Sequence, residues 1–263
     1  MKLGLCLGCL SWLGMVAWGG DFTRNEYDQF EKCEWQSPAG GTLLYRFYQP
    51  EVREGETYPL IIFLHGAGER GNNNESQFVQ DHFLNLIFSE AGKQHPAFCL
   101  VPQCPTGERW CEVDWGMAES HHTPEVPSAP MRKLHELLEW LKTEYPIDPH
   151  RIYLTGISMG GFGTFDFLVR YPEEIAAAVP ICGGADCRKL AATPALRSMP
   201  IWIFHGGADS VVKPIRSRMA YETLKAINPN VRYTEFPDVD HISWVNAYHT
   251  RELVDWLFRQ VKK

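Results

Sequence analysis

One serine lies in a pattern that suits nucleophilic chemistry. Residues 156–160 read Gly-Ile-Ser-Met-Gly, a G-x-S-x-G pattern centred on Ser158. An apolar run at 152–154 precedes it, and a segment of helical character follows it. A sharp strand-to-helix turn exposes such a serine, and its flanking glycines avoid collisions that a Cβ would cause. The pattern leaves one alternative open, a tight turn in which Ser158 only caps the helix.

A serine hydroxyl needs a positioned base to remove its proton, and a third group to orient that base. Asp209 follows the apolar run 201–204 in a Gly-rich loop, and His241 follows the run 232–236. Loops after parallel strands meet at the carboxyl edge of a sheet, where ligands bind. We therefore expect Ser158, Asp209 and His241 to come together there as nucleophile, acid and base.

Each of these residues also has a structural alternative. Asp209 could be an ordinary turn residue, and His241 is one of ten histidines. Asp238 and Asp240 compete with Asp209 as the acid, but they would have to fold back on the adjoining His241. We interpret both as solvated loop charges. The order serine, acid, histidine, with each residue placed after a strand, favours the catalytic interpretation.

Attack on an acyl group places negative charge on a carbonyl oxygen, which backbone N–H groups must stabilise. One donor is expected from Met159, the residue after the serine. The second is expected from the loop that follows the apolar run 58–64. Ala67 is our choice in that loop, with Gly68 as the alternative.

Five further residues could contact a substrate. Trp110 and Trp115 lie in a long proline-rich stretch, and Trp244 lies close to the candidate base. Exposed aromatic rings there could stack on sugar rings or on a hydroxycinnamate, although large aromatics more often pack inside proteins. Glu69 and Arg70 could also contact substrate, but an ion pair that holds their loop together is favoured.

Strands and helices alternate along most of the chain. The pattern predicts strands at 33–36, 42–48, 58–64, 98–101, 152–154, 177–181, 201–204 and 232–236, of which the first two form an antiparallel pair. It predicts helices at 78–90, 129–144 with Ser128 as the cap, 160–170, 215–227 and 250–261. This order indicates an α/β fold with a mostly parallel, doubly wound sheet and helices on both faces.

Composition narrows the class of protein. The 263 residues are 44% hydrophobic and 22% charged, as in a globular protein with a sizeable core. The formal net charge of −7 provides no basic surface for a nucleic acid. No repeat or linker divides the chain, so residues 21–263 are expected to form one domain. The oligomeric state stays open.

Residues 1–20 are expected to be a signal peptide. Lys2 is followed by an apolar, Gly-rich run that is short for a membrane span, and small residues then suit cleavage after Gly19 or Gly20. An uncleaved amino-terminal anchor is the alternative. Secretion or a periplasmic location follows, with no stable membrane insertion once the signal is removed.

Export would place the remaining six cysteines in an oxidising compartment, where disulfides persist. Cys104 with Cys111, and Cys182 with Cys187, are close enough in sequence to bridge loops. Cys99 lies in an apolar run and is expected to be a buried free thiol. These six cysteines, at 33, 99, 104, 111, 182 and 187, include no C-x-x-C pair, which argues against a zinc ribbon or a redox motif.

Six segments carry a family resemblance: LHGAGERG, PQCP, YPIDPHRIYLTGISMGGFGT, ICGGAD, FHGGADSVV and DVDHISW. In this order they resemble the secreted esterase branch of the α/β-hydrolase superfamily, which includes dienelactone-hydrolase-like, phospholipase/carboxylesterase-like and feruloyl-esterase-like proteins. The resemblance extends from about Leu43 to the end of the chain. It implies the nucleophile, acid, base and oxyanion donors named above, and no metal or organic cofactor.

The implied activity is that of a serine carboxylesterase working through an acyl-enzyme. Its expected substrates are small or polysaccharide-linked esters with short-chain or aromatic acyl groups, such as acetyl or feruloyl esters on plant polysaccharide. A serine peptidase of the prolyl-oligopeptidase type acting on small peptides is one alternative. A non-catalytic carbohydrate-binding protein on a hydrolase scaffold is the other.

Overall fold

The structure is a computed structural model that describes Phe22 and residues 24–262. The expected signal peptide at residues 1–20 lies outside the described residues. Among those that are described, no helix combines the length and the apolar character that crossing a membrane would require.

Eight strands form one sheet in the order β1-β2-β4-β3-β5-β6-β7-β8. β1 pairs antiparallel with β2 and β2 with β4, whereas all other neighbours are parallel. The expected α/β fold with a mostly parallel sheet is therefore confirmed. The strands are β1 Phe30–Gln36, β2 Thr42–Tyr48, β3 Tyr58–Leu64, β4 Phe98–Gln103, β5 Ile147–Ile157, β6 Ala177–Ile181, β7 Ile201–Gly206 and β8 Val231–Phe236.

Helices of very different length connect and cover the strands. They are α1 Arg24–Tyr27, α2 Asn85–Phe88, α3 Ala129–Glu144, α4 Met159–Arg170, α5 Cys187–Ala192, α6 Ile215–Lys225, α7 Trp244–Tyr248 and α8 Leu253–Phe258. The Ser128 side chain accepts a hydrogen bond from Met131 N and caps α3, as its sequence predicts. A short 3-10 turn, Ala67–Glu69, follows β3.

The central strand β3 shows why both faces of the sheet carry helices. All seven of its side chains are buried, and alternate residues enter different apolar clusters. Leu60, Ile62 and Leu64 pack in the cluster that contains the leucines of α3. Ile61 and Phe63 pack in the cluster that contains residues of α7 and α8. A strand buried on both faces needs a continuous apolar run, which the sequence supplies.

Two predicted helices are wrong in extent. Residues 76–88 form two 3-10 turns and the four-residue α2 in place of a helix over 78–90. The carboxyl-terminal helix is shorter than expected, and α7 precedes it as a separate element. The two segments contact each other, because Trp244 Nε1 donates to Gln80 Oε1 and Asn85 Nδ2 donates to Tyr248 O.

Candidate active site

Ser158 occupies the turn between β5 and α4 in a strained conformation. Its φ is 52° and its ψ is −117°, a region that residues with a side chain rarely adopt. The side chain makes no capping hydrogen bond, so the helix-cap alternative is not supported. A Cβ on Gly160 would lie 1.9 Å from Leu64 O, and one on Gly156 would lie 2.4 Å from Gly160 O. The glycines are required for this close approach.

His241 and Asp209 complete a hydrogen-bonded chain with this serine. His241 Nε2 lies 2.9 Å from Ser158 Oγ, and His241 Nδ1 lies 2.8 Å from Asp209 Oδ2. A carboxylate only accepts hydrogen bonds, so Nδ1 carries the proton and Nε2 accepts from the serine hydroxyl. This arrangement can take a proton from Ser158 and stabilise the resulting imidazolium.

Asp209 is held as an anion by its neighbours. Its Oδ1 accepts from the backbone N–H groups of Val211 and Val212 at 2.9 and 2.8 Å. Burial alone would raise the pKa of this carboxyl, but hydrogen bonds to His205 and His241 outweigh burial and hold the pKa well below its usual range. The residue therefore forms a loop turn with one oxygen and orients the histidine with the other.

Asp240 joins the two loops that carry this acid and base. Its Oδ1 accepts from Ser210 N and from His241 N, both at 2.8 Å, and Ser210 Oγ also donates to it. The interpretation of Asp240 as a purely solvated charge is thus corrected. The side chain is exposed, but its hydrogen bonds tie the residue after Asp209 to the histidine.

The loop after β3 is anchored from its buried side. His65 Nε2 accepts from Cys104 N at 2.9 Å, which leaves the Nδ1–H to donate to Gly66 O at 2.7 Å. Burial lowers the pKa of His65 to about 4, so the ring stays neutral. In a trans peptide the C=O and N–H point in opposite directions. Because Gly66 O is held by the buried His65 ring, the Ala67 N–H of the same peptide points away from that ring.

The Met159 N–H is the second group available to an anion. It lies in the first turn of α4, where N–H groups have no acceptor within the helix. Within the part of the chain that the structure describes, neither Met159 N nor Ala67 N has a backbone acceptor. A Cβ on Gly66 would lie 3.7 Å from Ser158 Cβ, so the β3 loop lies against the serine. Gly68 remains the alternative to Ala67 on this loop.

Comparison with known proteins identifies the family of the chain. A family model described as Phospholipase/Carboxylesterase matches residues 50–250. The chain belongs to this family. It has the α/β-hydrolase fold, as the sequence motifs predict.

The chain is also similar to individual relatives. It is 31% identical over 155 residues to a bifunctional acetylxylan esterase/xylanase from Neocallimastix patriciarum, covering 59% of this chain and 20% of that protein. It is 27% identical over 135 residues to poly(3-hydroxyalkanoate) depolymerase C from Paucimonas lemoignei, covering 48% of this chain and 28% of that protein. A solved thermostable esterase is 35% identical with a TM-score of 0.80, covering 89% of this chain and 64% of that one. The chain thus spans less than two thirds of each.

The three candidate tryptophans take different positions. Trp110 is completely buried, and its Nε1 donates to His65 O at 3.1 Å. The expected substrate contact of Trp110 is therefore corrected, since the buried ring packs against the loop after β3 and is not accessible to a substrate. Trp115 is half-buried beneath the Arg109 guanidinium, 4.4 Å from the ring centre. Trp244 is 5% exposed and meets the His241 ring edge-on, with centroids 5.4 Å apart.

The expected disulfides are not confirmed, because all six described cysteines are free thiols. Cys182 is buried with a positive φ of 41°, and its Sγ accepts from Ser158 N at 3.3 Å. Cys187 begins α5 and is partly exposed. The Cys111 thiol contacts the buried Asp166. Cys99 is buried, as expected for a free thiol.

Sequence reasoning missed one titratable group at the site, His205, and gave another, Glu69, the wrong partner. His205 is the second-last residue of β7 and contacts the Asp209 carboxylate, and its place beside the Gly-rich loop of Asp209 was its only signal. Glu69 was expected to pair with Arg70, but it turns inward towards Gly66 while Arg70 Nε donates to Ala67 O. Cys182, Asp209 and His241 offer a group of atoms close enough together to bind a metal ion. Two of these residues, Asp209 and His241, are already hydrogen-bonded to each other.

Proposed function

We propose that the protein is a serine carboxylesterase that uses Ser158 as nucleophile, His241 as general base and then acid, and Asp209 as the group that orients the histidine. The continuous hydrogen-bonded path from Ser158 Oγ through His241 to Asp209, at 2.9 and 2.8 Å, carries the proposal. The strained turn at Ser158 adds support, because strain of this kind concentrates at functional sites.

Catalysis then proceeds by acyl transfer. Ser158 Oγ attacks the ester carbonyl while His241 Nε2 takes the hydroxyl proton. The N–H groups of Ala67 and Met159 donate to the oxyanion of the tetrahedral intermediate. Collapse of the intermediate releases the alcohol, which receives the proton from His241. A water molecule, activated by the same histidine, hydrolyses the acyl-enzyme and regenerates Ser158.

The proposed substrates are small or polysaccharide-linked esters with a short-chain or aromatic acyl group, such as acetyl or feruloyl esters. Exposed apolar side chains flank the acid and the base: Val211 is 50% and Ile242 is 41% exposed. Such side chains favour an apolar acyl or aryl group near Ser158. The similarity to the acetylxylan esterase named above supports a polysaccharide-linked ester as substrate. Export through a signal at residues 1–20, ahead of one domain at 21–263, belongs to the same proposal.

An ester panel tests this function. Initial rates would be compared for p-nitrophenyl acetate, p-nitrophenyl esters of longer acids, methyl ferulate, acetylated xylan and aminoacyl amides. We expect ester turnover by the wild type and its loss, by about three orders of magnitude or more, in Ser158→Ala. Retained turnover in a folded Ser158→Ala variant would contradict the nucleophile. Preference for the amides would favour a peptidase.

A fluorophosphonate probe gives a substrate-independent test. It phosphonylates an activated serine, so the wild type should be labelled and Ser158→Ala should not. A carbohydrate-binding protein on the same scaffold would not react.

A further inference from the structure

Glu69 is a buried carboxylate that the catalytic steps above do not use. Its side chain is 8% exposed. Burying a carboxylate is costly unless a cation or hydrogen bonds compensate. In the described part of the chain Glu69 forms no ion pair with a lysine or arginine. Its neighbour Arg70 turns away and donates to Ala67 O and Glu108 O.

The carboxylate lies directly beside the catalytic turn. Its Oε2 is 2.8 Å from the place where a Cβ on Gly66 would be, and the same point is 3.7 Å from Ser158 Cβ. The backbone N–H groups of Gly66 and of Glu69 itself donate to it. Two loop amides thus hold a negative charge on the side of the β3 loop that faces Ser158.

His241 Nε2 lies 2.9 Å from Ser158 Oγ, so a carboxylate beside the Ser158 turn is also near the His241 ring. Burial raises the pKa of Glu69, whereas the two backbone amides and the attraction of His241 lower it. Two other carboxylates contact His241, namely Asp209 in the loop after β7 and Asp240 on the loop of His241 itself. His205, in β7, contacts Asp209. Glu69 belongs to a different element, the 3-10 turn Ala67–Glu69 after β3.

We infer that Glu69 is a positioning residue, a second carboxylate whose fixed negative charge stabilises the His241 imidazolium from the loop after β3. The inference rests on the proposed triad. A fixed anion near a histidine favours its charged form, and proton transfer from Ser158 creates that form during acylation. Removing the charge should therefore make His241 harder to protonate, in the free enzyme and during the reaction.

The rate of fluorophosphonate labelling, followed from about pH 5 to about pH 9, tests this without any assumption about the natural ester. Labelling needs neutral His241, so the rate falls as the histidine is protonated. Glu69→Gln keeps the size of the side chain and an acceptor oxygen but removes the charge. The midpoint of its acid limb should move to lower pH by about half a unit.

Two further variants separate charge from shape. Glu69→Ala also lacks the charge and should show the same downward shift, whereas Glu69→Asp keeps the charge and should stay close to wild type. Glu112→Gln removes an exposed carboxylate elsewhere and should leave the midpoint unchanged. Melting temperatures establish that each variant is folded.

The possible outcomes distinguish failure of the role of Glu69 from failure of the proposed triad. Midpoints of Glu69→Gln and Glu69→Ala that coincide with wild type would overturn the role of Glu69 while leaving the triad intact. A Glu69→Asp midpoint that moves with the uncharged variants would also overturn it, because shape and not charge would then matter. Absence of labelling in the wild type would instead refute the proposed function.

Discussion

His205 Nε2 lies 3.2 Å from Asp209 Oδ2, the same oxygen that accepts the hydrogen bond from His241 Nδ1. Asp209 is therefore shared by two histidines, one fully buried and one at the reacting serine. His205 Nε2 also lies 2.9 Å from Val212 O, and its Nδ1 lies 2.7 Å from Ser217 Oγ. These contacts fix the His205 ring, and the fixed ring limits the rotation of the Asp209 carboxylate.

We predict that His205→Ala slows ester hydrolysis by about tenfold through kcat, with little change in KM. Asp209 would keep His241 as a partner but lose a second constraint on its orientation, and a small misplacement of a catalytic group is costly. The lost buried contacts should also lower the free energy of unfolding by about 2–4 kcal/mol. Steady-state kinetics and urea unfolding check both effects. His122→Ala, at an exposed histidine, is the matched control and should change neither.

The sequence predicts the meeting of Ser158, Asp209 and His241 because each follows a strand of a parallel sheet. Loops after such strands share one edge whatever the details of packing. The inward turn of Glu69 was not predictable in this way, since its direction depends on the backbone amide of Gly66. Trp110 was misjudged for a similar reason, because its partner is the carbonyl of His65 on another loop.

Ser158→Gly should stabilise the protein relative to Ser158→Ala, although both variants are inactive. The backbone at this position has φ 52° and ψ −117°, which glycine adopts without steric cost and alanine does not. We expect a difference of about 1–2 kcal/mol in the free energy of unfolding. Urea unfolding of the two variants measures it. Equal stabilities would mean that the turn relaxes when the hydroxyl is removed.

Asp240→Ala should reduce kcat several-fold, whereas Asp240→Asn should stay near wild type. The two backbone N–H groups that Asp240 Oδ1 accepts, from Ser210 and His241, tie the acid loop to the base loop. An amide oxygen can replace that acceptor but a methyl group cannot. Kinetics on p-nitrophenyl acetate provide the measurement. Asp238→Ala is the control at an exposed neighbour, and an equal loss in that variant would show that loop charge is what matters.

Glu69→Gln should raise the melting temperature at neutral pH, by an amount that shrinks as the solution is acidified. The pKa of Glu69 is raised in the folded protein, chiefly by burial. A carboxyl with a raised folded pKa destabilises the fold where it is ionised, at pH values above the folded pKa. That cost disappears below the unfolded value of about 4.3.

The expected gain is about 2–4 °C near pH 7.5 and close to zero near pH 4. Thermal unfolding at several pH values measures it, with Glu112→Gln as the control for the loss of one surface charge. A gain that is the same at both pH values would show that the amide packs better and that charge is not the cause. A loss at neutral pH would show that the hydrogen bonds from the Gly66 and Glu69 amides outweigh the burial of the charge. The predicted combination, a more stable protein whose acid limb has shifted, would identify Glu69 as a group that lowers stability in exchange for a more basic His241.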